Sequence, residues 1–173
     1  PKKEREALTP QQQAALLEFM EQDTYCRRYR DLFLILLHTG LRAGECAGLT
    51  VEDIHLHSGY LQVDHQVYYS PEQGGMVWAP PKTEKSCRKI PLTAPAAEAL
   101  QRRILVARQF GRCQVIGQRR HFLFPCLNGS RPLHGVDFDR IFRNVHRRYA
   151  QSGGIPIAAL TPHILRHTFC TGL

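Results

Sequence analysis

Three short polar clusters in this chain hold side chains that could grip an anion, and each sits on a different kind of element. The first is Thr39-Gly40-Leu41-Arg42-Ala43-Gly44-Glu45. On a helical turn Arg42 and Glu45 stand three residues apart, so the carboxylate can orient the guanidinium while the open edge of the fork takes a phosphate. The second is Lys82, within Pro80-Pro81-Lys82-Thr83-Glu84-Lys85-Ser86. A turn lysine can follow an anionic backbone and, if its pKa is lowered, pass a proton to a departing oxygen; Lys85 is its rival. The third is Thr161-Pro162-His163-Ile164-Leu165-Arg166-His167-Thr168-Phe169. On a helix His163, Arg166 and His167 share one face, and Ile164, Leu165 and Phe169 can turn to the core. A helix N-terminus nearby would add its own attraction for negative charge. Taken singly, each cluster also has a plain explanation: a surface ion pair, a solvated turn lysine, a polar helix face.

Something must hold these groups, and the sequence supplies a mostly helical frame. Thr9-Pro10-Gln11-Gln12 reads as a cap, an N1 proline and a capping-box glutamine, followed by an apolar stripe of Ala15, Leu16, Phe19 and Met20. A second helix is expected over about 27–38, apolar enough to be buried on several sides, stopping at Gly40, with a short helical segment over 42–49 after the turn. Between 60 and 92 the pattern becomes β: strands are expected at 60–63, 76–78 and 88–92, separated by Gly74-Gly75 and the polar turn 82–86. Helical periodicity returns in Ala97, Leu100, Ile104 and Ala107, and again in Phe138, Ile141, Phe142, Val145 and Tyr149. Asp137 and Asp139 open that last helix and Arg147 and Arg148 close it, as its dipole favours. Thr161-Pro162 starts the final helix. The fold class that follows is α+β, mainly helical, with a small three-stranded antiparallel sheet.

The bulk numbers bound the function. At 173 residues with 43% hydrophobic, the chain suits one domain with a real core. Lys plus Arg exceed Asp plus Glu by 23 to 15, a formal charge of +8, so a polyanion is the natural partner and nucleic acid leads, with an inert basic surface as the alternative. No apolar run approaches a membrane span, and the basic start lacks a secretory apolar stretch, so an intracellular protein is expected. The six cysteines form no C-x-x-C pair and are expected to be small core residues in a reducing compartment. The histidines show no H-E-x-x-H or comparable ligand set, so no metal site is expected.

In order and spacing the three clusters resemble a known family. T-G-L-R-x-G-E, a lysine in a K-T-x-x-S turn before an R-x-I-P-L strand, and then H-x-L-R-H-T are similar to the catalytic domain of tyrosine recombinases and phage-type integrases. The resemblance runs from about Ala7 to Leu173; the wide β region, with Val67-Tyr68-Tyr69, looks most like integrases of conjugative transposons. It implies site-specific recombination and integration of double-stranded DNA by a mobile-element enzyme of the bacterial cytoplasm, through a 3′-phosphotyrosyl intermediate and with no metal or nucleotide cofactor. Arg42 and Arg166 would hold the non-bridging oxygens, Lys82 would be the general acid for the 5′-oxygen, and His163 would assist proton transfer. Glu45 would support Arg42, and His167 would support the site or serve structure alone.

The resemblance also implies parts outside residues 1–173: a core-binding domain before them, and after them the nucleophilic tyrosine, which follows the H-x-x-R helix by tens of residues. Tyr25, Tyr29, Tyr60, Tyr68, Tyr69 and Tyr149 all precede His163, so the expectation is a C-terminally incomplete catalytic domain, without its nucleophile, that does not cleave DNA alone. A full-length relative would assemble as a tetramer on paired sites. The alternatives are a non-catalytic DNA-binding relative, a type IB topoisomerase with the same chemistry, and a metal-dependent nuclease, for which no carboxylate or histidine cluster is evident.

Overall fold

The computed structural model describes residues 6–81, 83–109 and 114–172. Local sequence sets its first helix, α1, Pro10–Gln22: the Thr9 hydroxyl accepts from the Gln12 N–H at 3.2 Å, and the Gln12 side chain accepts from the Thr9 N–H at 2.8 Å. The expected second helix is shorter than its apolar pattern. Asp23 accepts from the N–H groups of Tyr25 at 3.0 Å and Cys26 at 2.8 Å, the chain makes one 3₁₀ turn over Cys26–Tyr29, and α2 runs Arg30–Thr39. Every residue from Leu32 to Leu37 in α2 is buried, so this helix is the axis of the core. It ends at Gly40 in the left-handed region, φ 62°, where a side chain would be strained.

After the short α3, Ala43–Gly48, come the strands: β1 Ile54–His55, β2 Tyr60–Val63, β3 Gln66–Ser70, β4 Gly75–Ala79 and β5 Arg88–Pro91. A three-stranded antiparallel sheet is present, but its members are β1-β2-β5, with Leu61 opposite both Ile54 and Ile90. The segment 76–78 belongs instead to a separate hairpin, β3-β4, in which Val67 faces Trp78. Asp64-His65 divides the two sheets: the buried His65 ring turns inward to the Gly48 carbonyl, 2.6 Å away, so the chain cannot run straight from β2 into β3. Gly44 and Gly48, one turn apart on α3, let that hairpin lie close; a Cβ at Gly44 would stand 3.6 Å from the Val67 carbonyl oxygen.

Three more helices close the structure: α4 Ala94–Gln109, α5 Gly135–Gln151 and α6 Pro162–Thr171. α2 packs against α4 and α6. α5 presents the predicted stripe of Phe138, Ile141, Phe142, Val145 and Tyr149 to the core, and Phe142 stacks on Phe33 with centroids 4.3 Å apart. Two of the cysteines, Cys26 and Cys46, are core residues as expected, but Cys87 and Cys170 are exposed and Cys126 is half-buried; Cys113 lies outside the described residues. Among the described residues no helix is long and apolar enough to cross a membrane.

Candidate functional site

α2 and α3 are joined by a tight corner, Gly40-Leu41-Arg42, and that corner builds the site. Leu41 is fully buried and anchors the turn, which leaves Arg42 as the N-cap of α3 in extended backbone, φ −74°, ψ 155°. Glu45, one turn on, closes back: its Oε2 accepts from the Arg42 backbone N–H at 2.9 Å and its Oε1 from Arg42 Nη1 at 3.1 Å. The predicted R-x-x-E pair is therefore real, and it is lopsided. Glu45 is 5% exposed whereas the Arg42 side chain is 55% exposed, so the carboxylate is fixed in the core and the guanidinium reaches outward.

Glu45 has a second partner besides Arg42. Arg88 on β5 places Nη1 3.1 Å from Glu45 Oε1 and Nη2 2.9 Å from Oε2, a two-pronged grip, while Nη1 also donates to the Ser86 carbonyl at 3.0 Å. The strand pattern carried the clue: period two puts Arg88 on the same face as the buried Ile90, pointing inward. Burial would raise the Glu45 carboxyl, but the Arg88 fork, the Arg42 N–H and the Arg42 guanidinium more than offset it and hold the group below its ordinary value of 4.5.

A folded carboxyl with a depressed pKa adds stability that is fully present above about 4.5 and lost as pH falls through its lower folded value. Glu45→Gln should thus unfold about 1–3 kcal/mol more easily near neutrality, and that gap should close in acid below the ordinary carboxylate range. Urea unfolding of both proteins across this range is the check; a gap that stays constant in acid contradicts the assignment.

The third cluster folds as the sequence implied. The Thr161 hydroxyl caps α6 by accepting from the Ile164 N–H at 3.2 Å, Ile164 and Leu165 are buried, and Phe169 packs over Gly40. Arg166 Nη1 donates to the Gly40 carbonyl, across 126 residues of sequence, which docks the guanidinium on the α2–α3 corner. Burial, followed by the nearby Arg42 and Arg88 cations, pushes Arg166 below its ordinary value, with Glu45 opposing. Guanidinium groups crowded in this way leave a place where an anion is favoured.

Arg42, His163 and Arg166 line one pocket of about 530 Å³, together with Leu41, Thr161 and Asp139. His163 is exposed. His167, on the same helix, is half-buried but does not line the pocket, and its side chain makes no hydrogen bond among the described residues. Lys82 lies outside the described residues; the turn after it is ordered by the Thr83 and Ser86 hydroxyls, 3.0 Å apart. Asp139, read from sequence only as a favourable charge near the start of α5, turns out to be the acidic member of the pocket wall.

One group of potential metal ligands exists among the described residues, Asp53, Asp64 and His65, away from this pocket. Its donor atoms are already engaged. His65 faces Asp64 Oδ1 and the Gly48 carbonyl, each at 2.6 Å, Asp53 Oδ2 accepts from the Thr50 N–H and hydroxyl, and Arg119 Nη1 lies 3.3 Å from Asp53 Oδ1. A guanidinium thus occupies the cationic role, and the group is a brace between α3, the 3₁₀ turn at Val51–Asp53 and the start of the hairpin.

A family model described as the phage integrase family matches residues 6–173. The transposase from transposon Tn916 of Enterococcus faecalis is 34% identical over 166 residues, covering 95% of this chain and 40% of that protein. Tyrosine recombinase XerD of Proteus mirabilis is 30% identical over 147 residues, covering 84% of this chain and 39% of its own length. A solved structure of the Tn1549 transposon integrase in complex with circular intermediate DNA superposes with a TM-score of 0.89 at 33% identity, covering 99% of this chain and 55% of that one. The chain spans about 40% of the length of these curated relatives.

Proposed function

Because the chain belongs to the phage integrase family, we propose that its pocket seats a scissile phosphodiester of duplex DNA, within a catalytic domain that recombines DNA by transesterification. The observation that carries this reading is convergence: Arg42 from the α2–α3 corner and His163 and Arg166 from α6 face one cavity. Two guanidinium groups can take the non-bridging oxygens and stabilise the charge that builds on a pentavalent phosphorane. In this reading His163, an exposed residue of the pocket lining, moves a proton at the attacking oxygen, and Glu45 holds Arg42. Lys82 is the general acid of this reading, for the departing 5′-oxygen. His167 has a structural part.

None of the chain's six tyrosines lines the pocket, so the nucleophile of this reading comes from polypeptide other than residues 1–173. A tyrosyl attack stores the phosphodiester energy in a covalent link and splits one exchange into two transesterifications, a scheme that needs no metal. Four protomers on paired sites in the bacterial cytoplasm, acting for a mobile element, complete the proposal. The related proteins named above are a transposase, a recombinase and an integrase, which does not favour the topoisomerase or the non-catalytic alternative.

Duplex binding by this chain tests the seat. Each neutralised phosphate contributes a slope of about −0.9 to a plot of log affinity against log salt, so a duplex held through two phosphates should bind about tenfold more weakly at roughly 200 mM than at roughly 50 mM. Arg42→Gln should flatten that slope by about one while leaving the melting temperature nearly unchanged, since the side chain is more than half exposed. Tight binding that is indifferent to salt would overturn the proposal.

A further inference from the structure

Glu45 presents a problem for any phosphate seat. It is a nearly fully buried carboxylate beside Arg42, and if Arg42 were its sole partner, the pair would cancel and the fork would be drawn back from the pocket. Arg88 changes that balance. It meets both carboxylate oxygens, at 3.1 and 2.9 Å, whereas the Arg42 guanidinium meets one, through Nη1 at 3.1 Å. The second carboxylate oxygen is shared between Arg88 and the Arg42 backbone N–H, a contact that fixes the corner without consuming a guanidinium donor. Two guanidinium groups, Arg42 and Arg88, thus share the single carboxylate Glu45, while Arg166 is held apart on the Gly40 carbonyl. Arg88 does not itself line the pocket.

We propose that Arg88 is a positioning residue: by forking onto Glu45 it neutralises that carboxylate, leaves the outer edge of Arg42 free for phosphate, and through the Ser86 carbonyl ties the turn after Lys82 to the same grip. The geometry is specific to a planar fork. A lysine at 88 could restore the charge, but it could not reach both oxygens and the Ser86 carbonyl from fixed directions. The inference rests on the reading of the pocket as a phosphate seat and adds to it a residue that acts without touching DNA.

The test is a double-mutant cycle on the whole chain, with a duplex oligonucleotide of arbitrary sequence as the probe, affinities measured by fluorescence anisotropy at several salt concentrations, and melting curves to establish folding. Arg88→Gln should weaken binding about five- to tenfold and flatten the salt slope by about one, as Arg42→Gln does. Because Arg88 works through Arg42, the double variant should bind within about twofold of Arg42→Gln alone. A purely structural role for Arg88 would lower the melting temperature without changing the slope. If Arg88→Gln does not fold, Arg88→Lys takes its place in the same cycle, with a smaller loss and the same non-additivity expected.

The outcomes separate two failures. If Arg42→Gln weakens binding but Arg88→Gln has no effect, or adds fully to it, the role given to Arg88 is wrong and the phosphate seat stands. If Arg42→Gln itself leaves affinity and slope untouched, the seat fails and takes this inference with it.

Discussion

On the proposed mechanism, Arg166→Ala is expected to slow formation of a covalent protein–DNA link by about 10²–10³-fold, in a polypeptide that joins residues 1–173 to a nucleophilic tyrosine, while the fold survives. Removing one preorganised donor to a developing oxyanion costs about that much in a water-poor site, and Arg166 has two reasons to be such a donor. Its Nη1 is fixed on the Gly40 carbonyl, so the guanidinium is held before substrate arrives, and the residue lines the same pocket as Arg42. Like charge from Arg42 and Arg88 leaves it poorly compensated until an anion binds. The structural cost is modest by comparison. One hydrogen bond to the end of α2 disappears, and the Gly40 carbonyl can be hydrated from the pocket, so about 1 kcal/mol and a fall of about 2–4 °C in melting temperature are expected. Arg166→Lys keeps the charge and loses the fork, and it should fall between wild type and alanine. Covalent adduct on a denaturing gel, measured against time with a nicked duplex, reads the rate; an unchanged rate in Arg166→Ala would remove this residue from the chemistry.

What could be read from the sequence was local, and what could not depended on pairing at a distance. The Thr9 capping box, the buried run Leu32–Leu37, the stripe on α5 and the Thr161-Pro162 start of α6 each depend on residues within a turn or two, and each is present. The 3₁₀ turn at Cys26–Tyr29 was missed because the carboxylate of Asp23, outside the apolar pattern, dictates it. β1 is two residues long, too short to show alternation, and it takes the place in the sheet that 76–78 was expected to hold. R-x-x-E and H-x-x-R each fit a surface pair or a polar helix face when taken singly, and Arg42, Glu45, His163 and Arg166 were legible as a site only through the order of the clusters and the family resemblance it carries. Arg88 was legible only in part, because strand period turns it inward with Ile90 but nothing local names its partner, 43 residues upstream. The three cysteines that are not in the core show the opposite limit: composition suggests a burial that neighbours in space decide.

Gly40→Ala should destabilise the chain by about 2–5 kcal/mol, a large share of the roughly 5–15 kcal/mol that holds a domain of this kind together. Two separate penalties meet at one position. The backbone lies at φ 62°, where a Cβ costs about 1–2 kcal/mol. That Cβ would also collide with Cδ1 of Phe169, so the ring, and α6 with it, must shift within a packed core at a further cost of about 1–3 kcal/mol. Gly59 separates the two terms: its φ of 75° is just as unfavourable for a side chain, yet nothing lies within 4 Å of its would-be Cβ. Gly59→Ala should therefore lose only the backbone term, and the difference between the two urea midpoints measures the collision with Phe169. The functional consequence is specific as well. Since the Gly40 carbonyl receives Arg166 and its N–H closes α2 onto the Leu36 carbonyl at 3.0 Å, a displaced α6 pulls one guanidinium away from the other. Gly40→Ala protein that still folds should bind duplex DNA with a flattened salt slope, whereas Gly59→Ala should bind as wild type does. Equal stability losses and equal slopes in the two variants would show that the α2–α3 corner does not set the spacing of Arg42 and Arg166.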